Sequence, residues 1–128
     1  MAAVAAEMIE PMNKDPLQQL AQDLNEFAQA RDWQQFHAPK NLACALTVEA
    51  SELLEHFQWL TEAQSHQLDE GKRQAVAFEM ADVLLYLVQL SSALNIDLMD
   101  AARRKMVINA QKYPVEPSRG GSGKHDEP

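Results

Sequence analysis

Two pairs of acidic residues at helical spacing constrain the fold of this chain most strongly, because both pairs lie within apolar segments. Glu49 and Glu52 form the first pair, Glu79 and Asp82 form the second, and residues three apart share one face of a helix. The second pair interrupts residues 75–90, which are apolar enough to form a buried helix. Two carboxylates about 4 Å apart repel by roughly 4 kcal/mol at an effective dielectric of about 20. Helices that bring both pairs together therefore need a cation or bound protons where they meet.

The ligands available at these positions favour a hard divalent cation such as Mg²⁺. Carboxylate oxygens suit Mg²⁺, and neither pair has a Cys or His at ligand spacing. A di-iron carboxylate bundle also uses acids from paired helices, but it needs Glu-x-x-His elements. His56 and His66 have Leu53 and Ala63 at that spacing instead. Acidic pairs are also common on solvated helix faces, so a helical interaction module that binds no metal is the alternative.

The spacing of apolar residues predicts an all-α fold with four main helices, because no segment alternates with a period of two. Asp15 followed by Pro16 is typical of a helix start, and Asp97 is placed to cap the last helix. Thr61 to Gln64 resembles a capping box for a short helical turn, and Gly71 is expected to break the chain before the third helix. The main helices are expected to cover roughly residues 16–31, 39–60, 72–94 and 98–113.

The third helix is expected to carry more apolar surface than a single four-helix bundle can cover. An exposed apolar face of that size implies a partner, most simply another copy of the chain. The residues expected on this face are Val76, Val83, Leu84, Leu87, Val88 and Leu90. We therefore expect a four-helix bundle that is completed by forming a homo-oligomer.

Length and charge exclude several other classes. The chain has 128 residues, which is the length of one domain, and its formal net charge is −8. Because no Lys/Arg stripe is present to neutralise phosphates, duplex nucleic acid is not an expected partner. We expect a flexible segment over residues 1–14, one domain over residues 15–114, and a disordered tail over residues 115–128 with Gly and Pro among polar residues.

No membrane partner is expected from the sequence. No apolar run is judged long enough to span a bilayer, and the first 14 residues lack the basic region of a signal peptide. The single cysteine, Cys44, is expected to be a small buried hydrophobic residue, and one cysteine cannot form an intramolecular disulfide. These features favour a reducing compartment, and we expect a cytoplasmic protein.

A dense set of aromatic and amide side chains lies between the first and second helices. The set comprises Trp33, Gln34, Gln35, Phe36 and His37. Its rings could stack on a flat base, while an amide or the imidazole could bind the polar edge of that base. The second tryptophan, Trp59, lies at the other end of the first acidic helix. The alternative for the tryptophans is core packing, and for the histidine it is helix capping.

Lys105, Asn109 and Lys112 share one face of the predicted fourth helix. Such a row could bind phosphate oxygens. Cations near a helix C-terminus are also favoured by the helix dipole without any function.

Taken in order, these motifs resemble the MazG-like all-α nucleotide pyrophosphohydrolases, and within them the dCTP pyrophosphatase branch. The resemblance covers roughly residues 16–114. It is carried by WQQFH at residues 33–37, EASELLEHFQW at 49–59, EMADVLLY at 79–86, and Lys105, Asn109, Lys112, Tyr113 and Pro114. One departure is that Val48 precedes Glu49, whereas the wider MazG pattern begins with two adjacent glutamates. This departure places the chain away from MazG proper.

The resemblance implies a MazG-like bundle that hydrolyses a deoxynucleoside triphosphate, dCTP or a modified dCTP, to monophosphate and pyrophosphate. It implies Mg²⁺ bound by Glu49, Glu52, Glu79 and Asp82, with Asp82 also meeting the substrate. It implies base and sugar contacts from Trp33, Phe36, His37, Trp59 and Tyr86, and triphosphate contacts from Lys105, Asn109 and Lys112. The functional unit would be a dimer or a dimer of dimers.

Two questions stay open at this point. Glu55, one turn beyond Glu52, is a candidate general base for the attacking water, and a solvent-facing structural role is the alternative. Related dUTP or phosphoribosyl-ATP pyrophosphohydrolases use similar helical carboxylates, so the substrate base is not fixed by the acidic pairs.

Overall fold

The structure, a computed structural model, describes residues 15–120, and this range contains helices and turns without strands. Its elements are α1 (Pro16–Ala30), a 3-10 turn (Gln34–Phe36), α2 (Pro39–Glu55), α3 (Glu62–Ser65), α4 (Glu70–Ala93), α5 (Leu98–Lys112) and α6 (Val115–Ser118). The all-α prediction is therefore confirmed for the described residues. The flexible segment predicted over residues 1–14 lies outside them.

Aspartate side chains cap the start of three of the main helices. Asp15 Oδ1 accepts a hydrogen bond from the Leu17 amide at 2.7 Å, which satisfies an N–H that has no partner within α1. Asp97 caps α5 in the same way, so both predicted helix starts are confirmed. Asp69 caps α4, which begins at Glu70, two residues earlier than expected. Gly71, predicted as a break, consequently lies inside the first turn of α4.

The second helix is shorter than predicted. It ends at Glu55 rather than near Leu60, and the following residues form turns in which the Phe57 and Gln58 amides both donate to the carbonyl of Leu54. The capping box predicted at Thr61 is present, with the Thr61 hydroxyl accepting from the Gln64 amide. Because Thr61 must adopt an extended backbone to cap α3, α2 has to unwind before it. The prediction missed this because no glycine or proline marks the end of α2.

The described residues divide into two compact units between Asn95 and Ile96, although the sequence suggests a single domain over residues 15–114. Asn95 has a positive φ of 54°, a left-handed conformation that asparagine tolerates, and it ends the first unit after α4. The second unit contains α5 and α6. Val115–Ser118 forms α6 where the sequence predicts a disordered tail, and residues 121–128 of that tail lie outside the described range.

In the first unit, α2 packs along α4, and α1 packs on α4 as well. The buried apolar side chains of the described residues are Ala28, Leu42, Val76 and Val88. Leu42 shares a cavity with Gln89, whereas Glu49, two turns further along α2, approaches Glu79, an earlier residue of α4. Moving forward along α2 therefore corresponds to moving backward along α4, so the two helices are antiparallel, as the sequence suggests.

The apolar face predicted on the third helix requires a correction. Val76 and Val88 are buried, with Val88 only 1% exposed, and so they belong to the core. Of the other predicted residues, Leu84 is exposed, while Val83, Leu87 and Leu90 are half-buried. The strongly exposed apolar residues of α4 are Phe78 (64%) and Met80 (57%). Met80 and Leu84 are one turn apart and form one exposed apolar strip of α4, whereas Phe78 is exposed on another side of the helix.

Two further expectations are also corrected. By length and composition alone, α4 is apolar enough to cross a membrane, although the sequence was expected to contain no such run. Core helices of soluble proteins pass the same test, and α4 carries Glu79 and Asp82 near its middle.

Cys44 is exposed rather than buried, because it lies on the side of α2 opposite the core residue Leu42.

Candidate active site

The packing of α2 against α4 brings together three of the four carboxylates predicted to bind metal. One oxygen each from Glu49, Glu79 and Asp82 lies within 4.8 Å of the other two. Glu52 is not part of this three-residue group, although its side chain is near enough to Glu49 to raise the pKa of that carboxyl. We refer to Glu49, Glu79 and Asp82 as the carboxylate cluster.

Two oxygens of the carboxylate cluster are buried without a hydrogen-bond partner. They are Glu49 Oε2 and Glu79 Oε2, and no described residue donates a hydrogen bond to either. Leaving a buried polar oxygen unpaired is unfavourable by roughly 1 to 3 kcal/mol. A divalent cation would satisfy both oxygens and would also neutralise the charge of the three carboxylates. The geometry therefore fits a metal bound by oxygen ligands.

The same crowding changes the protonation of Glu49. Its pKa is raised from the ordinary value of 4.5 to about 7, first by burial, then by the hydrogen bond with Glu52 and by the charges of Glu52 and Asp82. Glu49 is therefore about half protonated near pH 7 when no cation is bound. A cation would compete with this proton for the carboxylate.

Trp33 packs against exposed side chains rather than in the core. Its ring meets Phe27 edge-on with centroids 5.7 Å apart, and the Arg31 guanidinium lies 3.5 Å from the centre of the Phe27 ring. Trp33 itself remains exposed. The core-packing alternative considered for this tryptophan is therefore wrong. A flat ligand can reach one side of the indole without unfolding the loop.

Trp59 is the most exposed large hydrophobic residue of the described chain, at 86%. It lies in the turns after α2 and is not a core residue either. Tyr86 lies one turn beyond Asp82 on α4 and is half-buried. Whether these two rings and the exposed Phe36 bind a base stays a prediction.

The two neighbouring glutamines of the loop differ in their surroundings. Gln35 Nε2 donates to the Asp32 carbonyl oxygen at 2.9 Å, which closes the turn after α1. Asp32 has a positive φ of 53°, so this hydrogen bond supports a conformation that few side chains adopt. Gln34 instead lines a cavity together with His37. Of the two amides, that of Gln34 is therefore the better placed to meet a ligand.

This cavity was not anticipated from the sequence. It has a volume of about 210 Å³ and lies between α1, the loop, the first turn of α2 and the C-terminal end of α4. Its lining residues are Leu24, Asn25, Ala28, Gln34, His37, Leu42, Gln89, Ser92 and Ala93. A usable signal for it was the position of Gln89, a polar residue that interrupts the apolar helix seven residues after Asp82.

The other predicted site residues are Glu55 in the first unit and Lys105, Asn109 and Lys112 in the second. Glu55 is exposed at the last position of α2. Lys105 and Asn109 are exposed on α5, in the second unit, and Lys112 lies at the last position of α5 with its ammonium 5.9 Å from the Tyr113 ring. Their predicted contacts with a triphosphate stay a prediction.

Known proteins match this chain over most of its length. A family model for the MazG-like family matches residues 44–127. The chain is 44% identical over 104 residues to dCTP pyrophosphatase 1 of Rattus norvegicus and 43% identical to dCTP pyrophosphatase 1 of Homo sapiens, in each case over 80% of this chain. It spans 61% of the length of these curated relatives. The crystal structure of a pyrophosphatase from Archaeoglobus fulgidus matches with a TM-score of 0.74 at 38% identity, covering 80% of this chain and 95% of that one. The resemblance inferred from the motifs is confirmed, and the chain belongs to the MazG-like family.

Proposed function

We propose that this chain hydrolyses a deoxynucleoside triphosphate, dCTP or a modified dCTP, to the monophosphate and pyrophosphate in a reaction that requires Mg²⁺. The observation that carries the proposal is the convergence of Glu49, Glu79 and Asp82 within 4.8 Å, with two of their oxygens buried and unpaired. The choice of dCTP rests on relatives that are named dCTP pyrophosphatase 1. Such an enzyme would remove unwanted nucleotides from the cellular pool.

The carboxylate cluster supplies the charge that this reaction needs. A triphosphate and a set of carboxylates repel each other, so phosphate groups need a cation between them and the carboxylates in order to lie against this cluster. A divalent ion held here would supply positive charge for the phosphate oxygens and would lower the pKa of a water that attacks phosphorus. Glu49, Glu79 and Asp82 would hold it, and Glu52, whose charge acts on Glu49, is proposed as a fourth ligand. Glu55, exposed one turn beyond Glu52, is proposed to accept the proton of the water.

Other side chains are proposed to bind the remainder of the nucleotide. Trp33, Phe36 and Trp59 expose aromatic surface at the two ends of α2, which suits stacking on a base. Tyr86 extends the line of Asp82 along α4 and is proposed to lie beside the sugar. The proposed triphosphate contacts are Lys105, Asn109 and Lys112.

The enzyme is further proposed to act as a homo-oligomer, a dimer or a tetramer, in the cytoplasm. Met80 and Leu84 expose apolar surface on one side of α4 and Phe78 exposes it on another, and exposed apolar surface of this kind commonly binds a second copy of the same chain. Neither duplex nucleic acid nor a membrane is proposed as a partner. The net charge of −8 disfavours the first, and the two carboxylates near the middle of α4 disfavour the second.

A two-step experiment tests the proposed activity. Thermal unfolding is first followed with EDTA and with Mg²⁺ alone, and pyrophosphate release is then measured with dCTP, dUTP, the other dNTPs and phosphoribosyl-ATP. We expect Mg²⁺ to raise the Tm, and dCTP or a methylated dCTP to be hydrolysed fastest.

Matched variants separate the metal site from a general charge effect. Glu49→Gln should lose the response to Mg²⁺ and the activity, whereas Glu26→Gln, which changes an exposed carboxylate on α1, should keep both. Fastest hydrolysis of dUTP or phosphoribosyl-ATP would reassign the substrate. A Tm that does not respond to Mg²⁺, together with no hydrolysis of any nucleotide, would favour a non-catalytic interaction module.

A further inference from the structure

The cavity between α1, α2 and α4 collects several polar side chains. Asn25, Gln34, His37, Gln89 and Ser92 all line it. Of these five, Gln89 has a side-chain oxygen, Oε1, that is buried and unpaired, whereas Asn25 and Gln34 are exposed and His37 and Ser92 are half-buried. Buried polar groups in folded proteins are nearly always paired. The unpaired oxygen of Gln89 in the wall of the cavity therefore indicates a polar ligand.

The size of the cavity limits that ligand. Its volume is about 210 Å³, and a cavity of about 150 Å³ holds a benzene molecule. One six-membered ring with polar substituents therefore fits. Leu24, Ala28 and Leu42 supply apolar walls for the faces of such a ring, while the amides of Asn25 and Gln89 can reach its edge.

The position of the cavity relates it to the carboxylate cluster. Asp82, Tyr86, Gln89 and Ala93 follow one another at helical steps of four, three and four residues, so they form one stripe along α4. At a rise of 1.5 Å per residue, Gln89 lies about 10 Å from Asp82 along the helix axis. On the antiparallel α2, Leu42 lies the same number of residues from Glu49. One groove between α2 and α4 thus has carboxylates at one end and a polar cavity at the other.

We propose that Gln89 determines base specificity, its side-chain amide oxygen accepting a hydrogen bond from the exocyclic amino group of a cytosine ring held in this cavity. This inference rests on the proposed function, because the groove is then a nucleotide site with the triphosphate at the carboxylate cluster. The terminal torsion of glutamine is soft, so the unpaired oxygen can turn toward a ring that enters. Uracil and thymine present a carbonyl oxygen at that position, and pairing with it would require the amide to turn over so that Nε2 takes the buried place that Oε1 occupies in the structure.

The decisive variant is Gln89→Met, which keeps the length of the side chain and removes the amide. We expect it to lower kcat/KM for dCTP at least about tenfold and to change that for dUTP much less, so that the ratio between the two substrates collapses. Gln74→Met is the matched control, because Gln74 is an exposed glutamine on the same helix. It should keep the wild-type ratio. The Tm of Gln89→Met should be unchanged or higher, since an unpaired buried oxygen is removed.

A binding measurement separates this inference from the proposed activity. The monophosphates dCMP and dUMP are titrated by calorimetry in EDTA, where the metal and the chemical step play no part. Wild type should bind dCMP at least about tenfold more tightly than dUMP, and Gln89→Met should bind the two alike. If Gln89→Met does not fold, Gln89→Leu replaces it.

Either of two results would overturn the role of Gln89: equal binding of dCMP and dUMP by wild type, or a variant that keeps the wild-type preference. If wild type prefers dCMP and Gln89→Met does not, but dCTP is not hydrolysed, the role of Gln89 in binding cytosine is supported and the proposed activity is wrong.

Discussion

Replacing Glu49 by glutamine should stabilise the metal-free protein at high pH. One oxygen of Glu49 lies within 4.8 Å of oxygens of Glu79 and Asp82. At that separation two unit charges repel by about 1 kcal/mol in bulk water and by about 3.5 kcal/mol at an effective dielectric of roughly 20. Because Glu49 is half-buried and partly screened, we expect a gain of about 1 to 2 kcal/mol. This gain corresponds to a Tm increase of roughly 4 to 8 °C for a domain of this size.

The stabilisation should depend on pH in a defined direction. The pKa of Glu49 is raised from 4.5 to about 7, so between these values the native state holds a proton that the unfolded chain has released. Wild-type stability therefore falls as pH rises from 4.5 to about 7, and the contribution of this proton is lost above that range. Glutamine is neutral at every pH and resembles the protonated form. Glu49→Gln should thus match wild type near the lower value and exceed it in stability above the higher one.

The assay is thermal unfolding at pH 4.5 and 8.5 in EDTA, followed by the same measurement with Mg²⁺ at pH 8.5. In Mg²⁺ the order should reverse, because wild type gains the binding energy of the ion and the variant has lost a ligand. Glu26→Gln on α1 is the control, since it removes an exposed carboxylate that accepts only the Gln22 amide at 3.3 Å. Its Tm should stay within about 2 °C of wild type under all conditions.

The reasoning would be refuted by a Tm difference between Glu49→Gln and wild type that is the same at both pH values. If Mg²⁺ raises the Tm of Glu49→Gln as much as it raises the Tm of wild type, Glu49 is not a ligand of the metal. Hydrolysis of dCTP by Glu49→Gln within tenfold of the wild-type rate would have the same consequence.

Three other changes test the remaining assignments. Trp59→Ala should weaken binding of a non-hydrolysable dCTP analogue by about 1 to 3 kcal/mol with little change in Tm, because the ring is exposed. Trp33→Ala should weaken binding of the analogue by a similar amount and should also lower the Tm, because its ring packs against Phe27. Unchanged affinity of these variants in calorimetry would argue against stacking on the base. Glu55→Gln should lower kcat about 100-fold without changing nucleotide affinity. An unaltered kcat in a pyrophosphate-release assay would show that Glu55 is not the general base. Met80→Asp should abolish the oligomers that light scattering detects for wild type. Gln74→Asp, which places a charge at an exposed polar site of the same helix, should retain them. A wild-type protein that is monomeric at micromolar concentration would contradict the proposed homo-oligomer.

The sequence allowed the helices and the carboxylate cluster to be predicted because both depend on local spacing. Asp15 and Asp97 each satisfy an N–H two or three residues away, so the residues that decide the helix start are adjacent in the chain. The acidic pairs are likewise defined within one helical turn. Their convergence needed only the added inference that two long apolar helices pack antiparallel.

The expectations that failed depend on which surfaces meet in space. Val76 and Val88 are apolar residues of α4 in the same way as Phe78 and Met80, and only the placement of α1 and α2 decides which of them is buried. The cavity is lined from α1, the loop, α2 and α4, so no single segment carries its pattern. Gln89 was visible in the sequence as an interruption of an apolar helix. Nothing local showed that Asn25 and Gln34 would face the same space.

Repulsion within the carboxylate cluster disfavours the packing of α2 against α4 that brings its three residues together. The apolar core must therefore hold the two helices in place. Bringing Glu49, Glu79 and Asp82 within 4.8 Å is unfavourable without a cation, so the contact between α2 and α4 must be held by apolar residues on either side of the cluster. Val76 lies one turn before Glu79, and Leu42 lies two turns before Glu49. Rotating either helix by one residue would move its acids by about 100° and would also expose these core side chains. The register that buries the core is thus the register that assembles the site.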